Sequence, residues 1–278
     1  MFSKFFSLLG LDKSRKFAKY MAKFFFNYLP IRKEVVIDNL KRAFPEWDDT
    51  KINEIAFKCY YGFSLTLVEI LILPSLSDAQ LLSILRLKNP ELFHKKHQEN
   101  KGIVLLSAHF ANWEIGAMML SVLVNTPFYV AAKQQRNILV DDWMNKMRTR
   151  YLNVIVPLGV SIRNIVVTLK EKKVAALVAD QRGPKDGPRI KFMGVETASF
   201  AGPAALAIKT GANMLYAIAV RQEDLNYDIE FVEISKDNLP EKYDDKVLEL
   251  TQRHYKYLES LIRKYPDQWF WMHKRWKY

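Results

Sequence analysis

A histidine and a glutamate with four residues between them are the side chains of this sequence best suited to catalysis. His109 follows an apolar run at residues 103–106, and Glu114 comes shortly after it. A carboxylate that hydrogen-bonds one nitrogen of an imidazole leaves the other nitrogen free to accept a proton, which is a recurring way to activate a hydroxyl nucleophile. The pair therefore predicts a general base, His109, that is oriented by Glu114.

The residues around this pair predict its place in the fold. Residues 103–108 have the pattern of a buried strand, and residues 113–124 have that of a helix for which Asn112 can serve as the N-cap. Ligands bind outside the carboxyl ends of the strands in open α/β sheets. We therefore expect His109 at such an edge, Glu114 on the first helical turn, and Asn112 close enough to bind substrate.

Polar and charged side chains also follow two other predicted strands, at residues 128–132 and 174–179. Because the carboxyl ends of parallel strands meet at one edge of a sheet, we expect these side chains to lie on the same face as His109. A solvated charged loop is the alternative for the cations. The candidates for substrate binding are Lys133, Arg136, Asp180, Gln181 and Arg182.

Strands and helices alternate along the chain after residue 100, whereas the residues before it read as helices. This order predicts an α/β fold, with a mixed, largely parallel sheet flanked by helices and an N-terminal helical extension. We expect residues 1–100 to form a helical, membrane-associating part and residues 101–278 to form the α/β core, within one continuous structural unit. The last two strands, at residues 213–220 and 227–234, are expected to pair antiparallel.

The composition indicates an anionic partner, since the net charge is +12 for 278 residues. Nucleic acid, phospholipid head groups and phosphorylated substrates all fit such a charge, and an aromatic content of 13% favours lipid. The single cysteine, Cys59, excludes a disulfide within the chain and is compatible with a reducing compartment.

The N-terminal segment predicts an amphipathic helix. Its apolar residues at helical spacing are Phe17, Tyr20, Met21, Phe24, Phe25 and Tyr28. Lysines lie off this stripe, which suits a helix in the interface of an anionic membrane. The alternative is that the stripe packs on the rest of the protein. We find no pattern of a secretory signal peptide and no convincing transmembrane helix.

Aromatic and cationic residues are interleaved near the C-terminus, at residues 266–276. Such a segment suits a membrane interface or a phosphate-bearing amphiphile, and it could also bind single-stranded nucleic acid by stacking. The alternative is packing under the sheet, and we expect Trp269 or Trp271 to be buried.

A metal site is not predicted. The spacing of His109 and Glu114 differs from the His-Glu-x-x-His pattern of zinc enzymes, and no second histidine lies nearby in the sequence. A covalent enzyme nucleophile is not required either, because Cys59 has no base near it in the sequence.

Several short blocks, taken together, resemble one enzyme family, the bacterial lipid A biosynthesis (late) acyltransferases of the lysophospholipid acyltransferase superfamily. His109 to Glu114 is similar to the family's His-x4-acid motif. The other blocks, in chain order, are residues 39–45, Asp180-Gln181, residues 192–194, residues 202–204 and residues 266–276. The ordered set spans most of the chain, from residue 39 to residue 276.

The resemblance implies transfer of a fatty acyl group from an acyl carrier protein or coenzyme A thioester to a hydroxyl of a lipid A precursor. It implies that His109 is the general base and Glu114 its partner, with Asp180, Lys133 and Arg136 assisting. No cofactor is expected beyond the thioester co-substrate. The implied partners are the acyl carrier protein, a phosphorylated lipid acceptor and an anionic membrane surface, without nucleic acid. The implied location is the cytoplasmic face of the bacterial inner membrane, with peripheral attachment.

Two features depart from the family pattern. Typical members carry Arg-Pro where this chain has Lys133-Gln134, and many begin with a transmembrane helix. Three alternatives stay open at this point. The same chemistry could serve another acceptor, such as an aminoacyl lipid, a glycolipid or a lysophospholipid. The protein could instead be a His-dependent lipid hydrolase, or a non-catalytic basic protein that binds membranes or nucleic acid.

Overall fold

A computed structural model describes residues 2–157 and 162–277. Within these residues the strands are β1 (Leu85–Leu87), β2 (Ile103–Ser107), β3 (Phe128–Ala132), β4 (Val154–Pro157), β5 (Val174–Val178), β6 (Arg189–Phe192), β7 (Val195–Ala198), β8 (Asn213–Arg221) and β9 (Tyr227–Glu233). The helices are α1 (Phe2–Leu9), α2 (Leu11–Asn27), α3 (Lys33–Ala43), α4 (Asp49–Ile72), α5 (Asp78–Ser83), α6 (Pro90–Gln98), α7 (Trp113–Leu123), α8 (Ile138–Arg148), α9 (Ile162–Lys170), α10 (Gly202–Thr210) and α11 (Tyr243–Lys264).

Seven of these strands form one mixed sheet in the order β1-β9-β8-β2-β5-β3-β4. Every neighbouring pair is parallel except β8 and β9, which are antiparallel. The predicted fold class and the antiparallel final pair are thus confirmed. The sequence reading missed β1, which has only three residues, and the separate hairpin of β6 and β7, whose strands are short and rich in charge.

The register of β2 and β5 brings two predicted site residues together. Ser107 at the end of β2 pairs with Val178 at the end of β5. His109 and Asp180 each come two residues after these paired positions, so both leave the sheet at the same edge and at the same height. The parallel pairing alone therefore places an imidazole beside a carboxylate.

The N-terminal helices pack against α4, and α2 is buried through its small residues. Ala18 and Ala22 of α2 are fully buried, whereas the predicted aromatic stripe lies largely in solvent. The exposed aromatic side chains of this segment are Phe5, Phe17, Tyr20, Phe24 and Tyr28. The predicted helix is present; Met21 and Phe25 of the stripe pack partly on the core, and its other members are exposed.

Helix α4 forms the core of this N-terminal part. Together with the short 3-10 turn that follows it, α4 forms the helical stretch Asp49–Ser75, the one such stretch among the described residues that could cross a membrane by length and composition. Within the protein, 61% of its most apolar window is buried. Strand β1, which precedes residue 100, pairs with β9 in the main sheet. The division into parts at residue 100 stays a prediction.

The segment after α11 covers the edge of the sheet that carries His109 and Asp180. Trp269 forms an isolated antiparallel bridge with Phe110, beside His109. Trp271 and Arg275 are almost completely buried, and the Arg275 guanidinium donates to the hydroxyl of Thr197 and the carbonyl of Ala198. The prediction that a tryptophan of this segment is buried is confirmed, because both Trp269 and Trp271 are.

Candidate active site

His109 and Asp180 form the centre of the site. The Nδ1 atom of His109 lies 2.7 Å from Oδ1 of Asp180. Asp180 is buried, while the His109 side chain keeps 24% of its surface exposed. Because a carboxylate only accepts hydrogen bonds, Nδ1 carries the proton in this contact and Nε2 has a free lone pair. This is the arrangement of a general base whose carboxylate fixes both tautomer and orientation.

Glu114 does not make the hydrogen bond to His109 that the sequence predicted. Its carboxylate instead forms a two-pronged ion pair with Arg148, at 2.6 and 2.8 Å, and accepts from the indole N–H of Trp113 at 3.1 Å. Both oxygens of Glu114 are thereby turned toward the C-terminal end of α8. The geometry gives the expected orienting role to Asp180, for which the sequence predicts substrate binding and the family resemblance implies an assisting role.

Three hydrogen bonds hold the Asp180 carboxylate in place. Besides the His109 ring, Oδ2 accepts from the backbone N–H of His109 at 2.9 Å and from the Trp269 indole N–H at 2.8 Å. Burial raises the pKa of Asp180, but the charge and hydrogen bonds of His109, with the bond from Trp269, outweigh it and hold this pKa below its ordinary value. The carboxylate is therefore ionised in the folded protein.

The same charges make His109 a stronger base. Burial lowers the pKa of the imidazole, but the Asp180 carboxylate, helped by the charge of Glu114, outweighs burial and raises this pKa above its ordinary value. Glu114 thus acts on His109 through its charge, without a direct hydrogen bond. The Arg148 guanidinium that pairs with Glu114 opposes this contribution, so an imidazolium formed after proton uptake is stabilised mainly by Asp180.

Gln181 and Arg182 line the site next to Asp180. The amide nitrogen of Gln181 lies 3.5 Å from Nε2 of His109, the ring atom that faces away from Asp180. The backbone N–H of Arg182 donates to Nε2 of His273 at 3.2 Å, and its guanidinium donates to the carbonyl of Lys274. The loop after β5 is therefore tied to the C-terminal segment.

The backbone turn that carries His109 is held in an unusual conformation. Ala111 has a φ of 44°, in the left-handed region that non-glycine residues rarely adopt. Its N–H donates to the carbonyl of Gln268 at 2.7 Å, and its carbonyl accepts from the Thr66 hydroxyl at 2.8 Å. The carbonyl of His109 accepts from the N–H of Phe270. Contacts from α4 and from the C-terminal segment thus fix this turn from two sides.

Asn112 caps α7, as predicted, and it belongs to a buried polar network. Its side-chain oxygen accepts from the N–H of Ile115, and its amide nitrogen donates to Glu69 of α4 at 2.9 Å. Glu69 in turn accepts from Arg15 of α2 at 2.8 Å and from the hydroxyl of Tyr227. Both ends of the Asn112 amide are engaged within the protein, which favours a positioning role over contact with substrate.

Lys133 and Arg136 lie on the exposed loop between β3 and α8. This loop leaves the sheet at the same edge as His109, as the sequence predicted. Both side chains are directed to solvent, and within the described residues the structure gives neither of them a contact with His109 or Asp180.

A small apolar cleft, with a volume of about 50 Å³, lies next to the site between α7 and the sheet. Trp113 forms its wall near His109, with the two ring centroids 5.1 Å apart. The other lining residues are Leu105, Ser107, Gly116, Ala117, Leu120, Phe128, Val130, Ala176, Leu177, Val178, Ala217, Ala219 and Ile229. Many of these side chains are small, and Gly116 leaves room that a Cβ would lose, since that atom would lie 3.2 Å from Cβ of Ala219.

Three residues of the site were missed as parts of it by sequence reasoning. Arg148 gave no signal, because a basic residue near a helix end is common. Trp269 was expected to be buried, but its bond to Asp180 was not foreseen. Glu69 is a carboxylate within an apolar run, and its pairing with Arg15 and Asn112 depends on elements that are distant in the sequence.

With this geometry in view, comparison with known proteins identifies the chain. The family model described as bacterial lipid A biosynthesis acyltransferase matches residues 1–278. The chain belongs to this family. It is 21% identical over 252 residues to the lipid A biosynthesis palmitoleoyltransferase of Escherichia coli K12, covering 90% of this chain and 80% of that protein. It is also 21% identical over 259 residues to the lipid A biosynthesis lauroyltransferase of the same organism, covering 92% and 83%.

Membership of the lipid A biosynthesis acyltransferases makes this chain an acyltransferase, as the sequence resemblance implied. Several of the sequence blocks that resemble the family contact one another in the fold. Asn39, from the first block, donates to the carbonyls of Trp271 and His273 in the last, at 2.7 Å each. Phe192, from the block between β6 and β7, stacks on Trp276. Much of the family pattern therefore serves to fasten the C-terminal segment over His109.

Proposed function

We propose that the chain transfers a fatty acyl group from an acyl carrier protein or coenzyme A thioester to a hydroxyl of a lipid A precursor. The observation that carries the proposal is the hydrogen bond from Nδ1 of His109 to Asp180, which leaves Nε2 directed at an open, partly exposed site. An acyl transfer of this kind needs a base for the hydroxyl, and the family supplies the reaction class.

The reaction begins when Nε2 of His109 takes the proton of the acceptor hydroxyl. The oxygen attacks the thioester carbonyl, and a tetrahedral intermediate forms with negative charge on the former carbonyl oxygen. The C–S bond then breaks, the imidazolium returns its proton to the leaving thiolate, and an ester and a free thiol are produced. The Gln181 amide, 3.5 Å from Nε2, is the side-chain donor best placed to support the charged oxygen or the acceptor hydroxyl.

We assign Asp180 as the orienting carboxylate and Glu114 as a positioning carboxylate that acts on His109 through its charge. The charge of Glu114 contributes to raising the pKa of His109, and the charge of the paired Arg148 guanidinium opposes that contribution. Arg148 and Trp113 hold the Glu114 carboxylate in place on the first turn of α7.

The donor's acyl chain is proposed to occupy the apolar cleft behind Trp113. The cleft begins beside the reacting histidine and is lined almost entirely by apolar side chains, as a hydrocarbon chain requires. In this structure α7 lies close to the sheet, so the chain would enter by moving α7 or the Trp113 ring. The two compared relatives are named for different acyl groups, palmitoleoyl and lauroyl, and the preferred chain length here is left to experiment.

The cations at the entrance suit the charged parts of both substrates. Lys133 and Arg136 on the loop after β3, with Arg182 after β5, would attract the acidic carrier protein and the phosphates of the acceptor. The thioester is a co-substrate, and no other cofactor is proposed. Among the described residues no group of three or more His, Cys, Asp and Glu side chains could hold a metal ion.

The N-terminal helices are proposed to attach the protein peripherally to the cytoplasmic face of the bacterial inner membrane. Tyr20, Phe24 and Tyr28 face outward from α2 and its end, and Lys16 and Lys23 are exposed beside them. An aromatic face flanked by lysines binds anionic lipid by combining apolar insertion with charge attraction.

An acyl-transfer assay tests the proposal. The purified chain is incubated with radiolabelled acyl carrier protein and coenzyme A thioesters and with a lipid A precursor, a lysophospholipid or an aminoacyl lipid as acceptor. We expect His109→Ala and Asp180→Ala to reduce transfer to the lipid A precursor by about 10²- to 10⁴-fold. His94→Ala, which removes an exposed histidine of α6, is the matched control and is expected to retain full activity.

Each competing function gives a different result in the same assay. If only a different acceptor were acylated, that acceptor would be the substrate and the lipid A precursor would not. Release of free fatty acid without any acceptor would indicate a hydrolase. Vesicle or nucleic-acid binding that is unaffected by His109→Ala, with no turnover by the unmodified chain, would indicate a non-catalytic protein.

A further inference from the structure

The edge of the sheet that carries His109 is also the edge at which several helices begin. Helix α8 begins after β3, and α9 begins after β4, because in a parallel sheet each crossover helix starts at the carboxyl edge of the preceding strand. The residues before α10 reach the same region, since the N–H of Gly183, three positions after Asp180, donates to the carbonyl of Ala198.

The first turn of α8 exposes three consecutive large apolar side chains. Ile138 and Leu139 are 74% and 81% exposed, and Val140 is exposed as well. The packed face of the same helix is formed by other residues, Trp143 and Met147. Single exposed apolar residues are ordinary on a protein surface, but packing among the residues that the structure describes does not account for three in succession at a helix start.

Further apolar residues continue this surface along the same edge. Ile162 at the start of α9 is 72% exposed, and Phe200, next to the loop after Asp180, is also exposed. The name active rim is used here for Ile138, Leu139, Val140, Ile162 and Phe200.

Exposed cations accompany the active rim. Lys133 and Arg136 directly precede α8, and Arg163 follows Ile162. Two acidic residues directly follow the apolar side chains in α8, and both are engaged within the protein: Asp141 accepts from the N–H of Gln135, and Asp142 pairs with Lys146. Apolar side chains at the tip with cations beside them match the chemistry of a bilayer that carries anionic head groups.

We propose that the active rim inserts into the bilayer through the first turn of α8, so that the mouth of the active site rests on the membrane surface. The proposal rests on the acyl transfer to a membrane lipid proposed above, and it adds a second contact with the membrane that is separate from α1 and α2. The acceptor's sugar and phosphates, which lie at the level of the head groups, then reach His109 while its acyl chains stay in the bilayer.

Single fluorophores at defined positions test this contact. Cys59 is the only cysteine, so a Cys59→Ala background allows one environment-sensitive label at Leu139→Cys. Tyr243→Cys is the matched control, because Tyr243 is 51% exposed and starts α11, which follows β9 at the opposite edge of the sheet. A label at Tyr20→Cys reports whether α2 contacts the membrane. The probe is a vesicle of phosphatidylethanolamine and phosphatidylglycerol, with spin-labelled lipid as quencher.

We expect the label at position 139 to shift to shorter wavelength and to be quenched on vesicle addition, while the label at 243 is unchanged. A label at 139 that stays in water, whether or not the label at 20 is quenched, overturns the proposal. A double variant, Ile138→Glu with Leu139→Glu, is expected to partition into vesicles about tenfold more weakly than the unmodified chain. Unchanged partitioning would contradict the proposal.

These measurements contain no acyl donor and no acceptor. They therefore give the same answer whether or not the chain catalyses acyl transfer, and failure of the rim proposal is distinct from failure of the proposed function.

Discussion

The imidazole of His109 and the carboxylate of Asp180 are joined by a hydrogen bond of 2.7 Å, although they lie 71 positions apart in the chain. They meet because β2 and β5 pair in parallel and end at the same height. The pair is thus a property of the sheet register, and it does not depend on a flexible loop for its alignment. A one-residue shift of this register would separate the two side chains.

Replacing Asp180 by asparagine is expected to slow acyl transfer by about 10²- to 10⁴-fold. Because the Asp180 charge raises the pKa of His109, its removal is also expected to move the acidic limb of the kcat/KM profile to lower pH. The measurement is the pH profile of transfer by the unmodified chain and by Asp180→Asn. An acidic limb at the same pH in both would show that Asp180 does not control the ionisation of His109.

The Glu114–Arg148 ion pair is expected to contribute to folding as well as to catalysis. Both side chains are largely buried, so Arg148→Met leaves an unpaired buried carboxylate, and we expect it to reduce the free energy of unfolding by about 3 kcal/mol. The double variant Glu114→Gln with Arg148→Met should recover part of that loss. Denaturant unfolding of the single and double variants gives the coupling energy. If the double variant lost as much as the two single variants added together, the pair would not be coupled.

The cleft behind Trp113 is expected to determine the length of the transferred chain. Ala176 lies midway along it, since it pairs with Leu105 and Val130 in the register, and Leu120 lies toward the far end of α7. Ala176→Leu should shift the preference to shorter acyl donors, and Leu120→Ala should extend it to longer ones. Competition between labelled thioesters of different length measures both shifts. Unaltered selectivity in both variants would place the acyl chain elsewhere.

His254 is expected to make the fold sensitive to acid. Burial lowers the pKa of this imidazole to about 3, whereas in the unfolded chain it titrates near its ordinary value. At a pH between these two pKa values, the unfolded state binds one more proton than the folded state. The free energy of unfolding therefore decreases as pH falls below about 6.5.

His254→Gln should reduce the acid-induced loss of unfolding free energy by about 1 kcal/mol per pH unit between the folded and unfolded pKa values of His254. Urea unfolding of both proteins at pH 7 and pH 5 provides the measurement. Equal losses in the two proteins would mean that His254 titrates with the same pKa in the folded and unfolded states.

The sequence predicted the sheet well because strand and helix patterns are local. The apolar run before His109 and the turn residues around Asn112 identified the strand, the cap and the helix without further information. It also placed His109 and Asp180 at one edge, because that follows from parallel pairing alone.

The choice between two carboxylates as the partner of His109 could not be made from the sequence. Glu114 is close to His109 along the chain, but Arg148, 34 positions after it, turns its carboxylate away. Such a choice depends on side chains from separate elements. The same holds for Glu69, whose partners come from α2, α7 and β9.

The C-terminal clamp on the His109 turn also has a consequence for the order in which the protein is made. Translation produces His109 about 160 residues before Gln268, Trp269 and Phe270, which bond to its turn and to Asp180. A nascent chain that has already released its N-terminal helices from the ribosome therefore still lacks the contacts that fix His109. The proposed membrane contact of these helices can form before the proposed general base is held in place by residues 268–270.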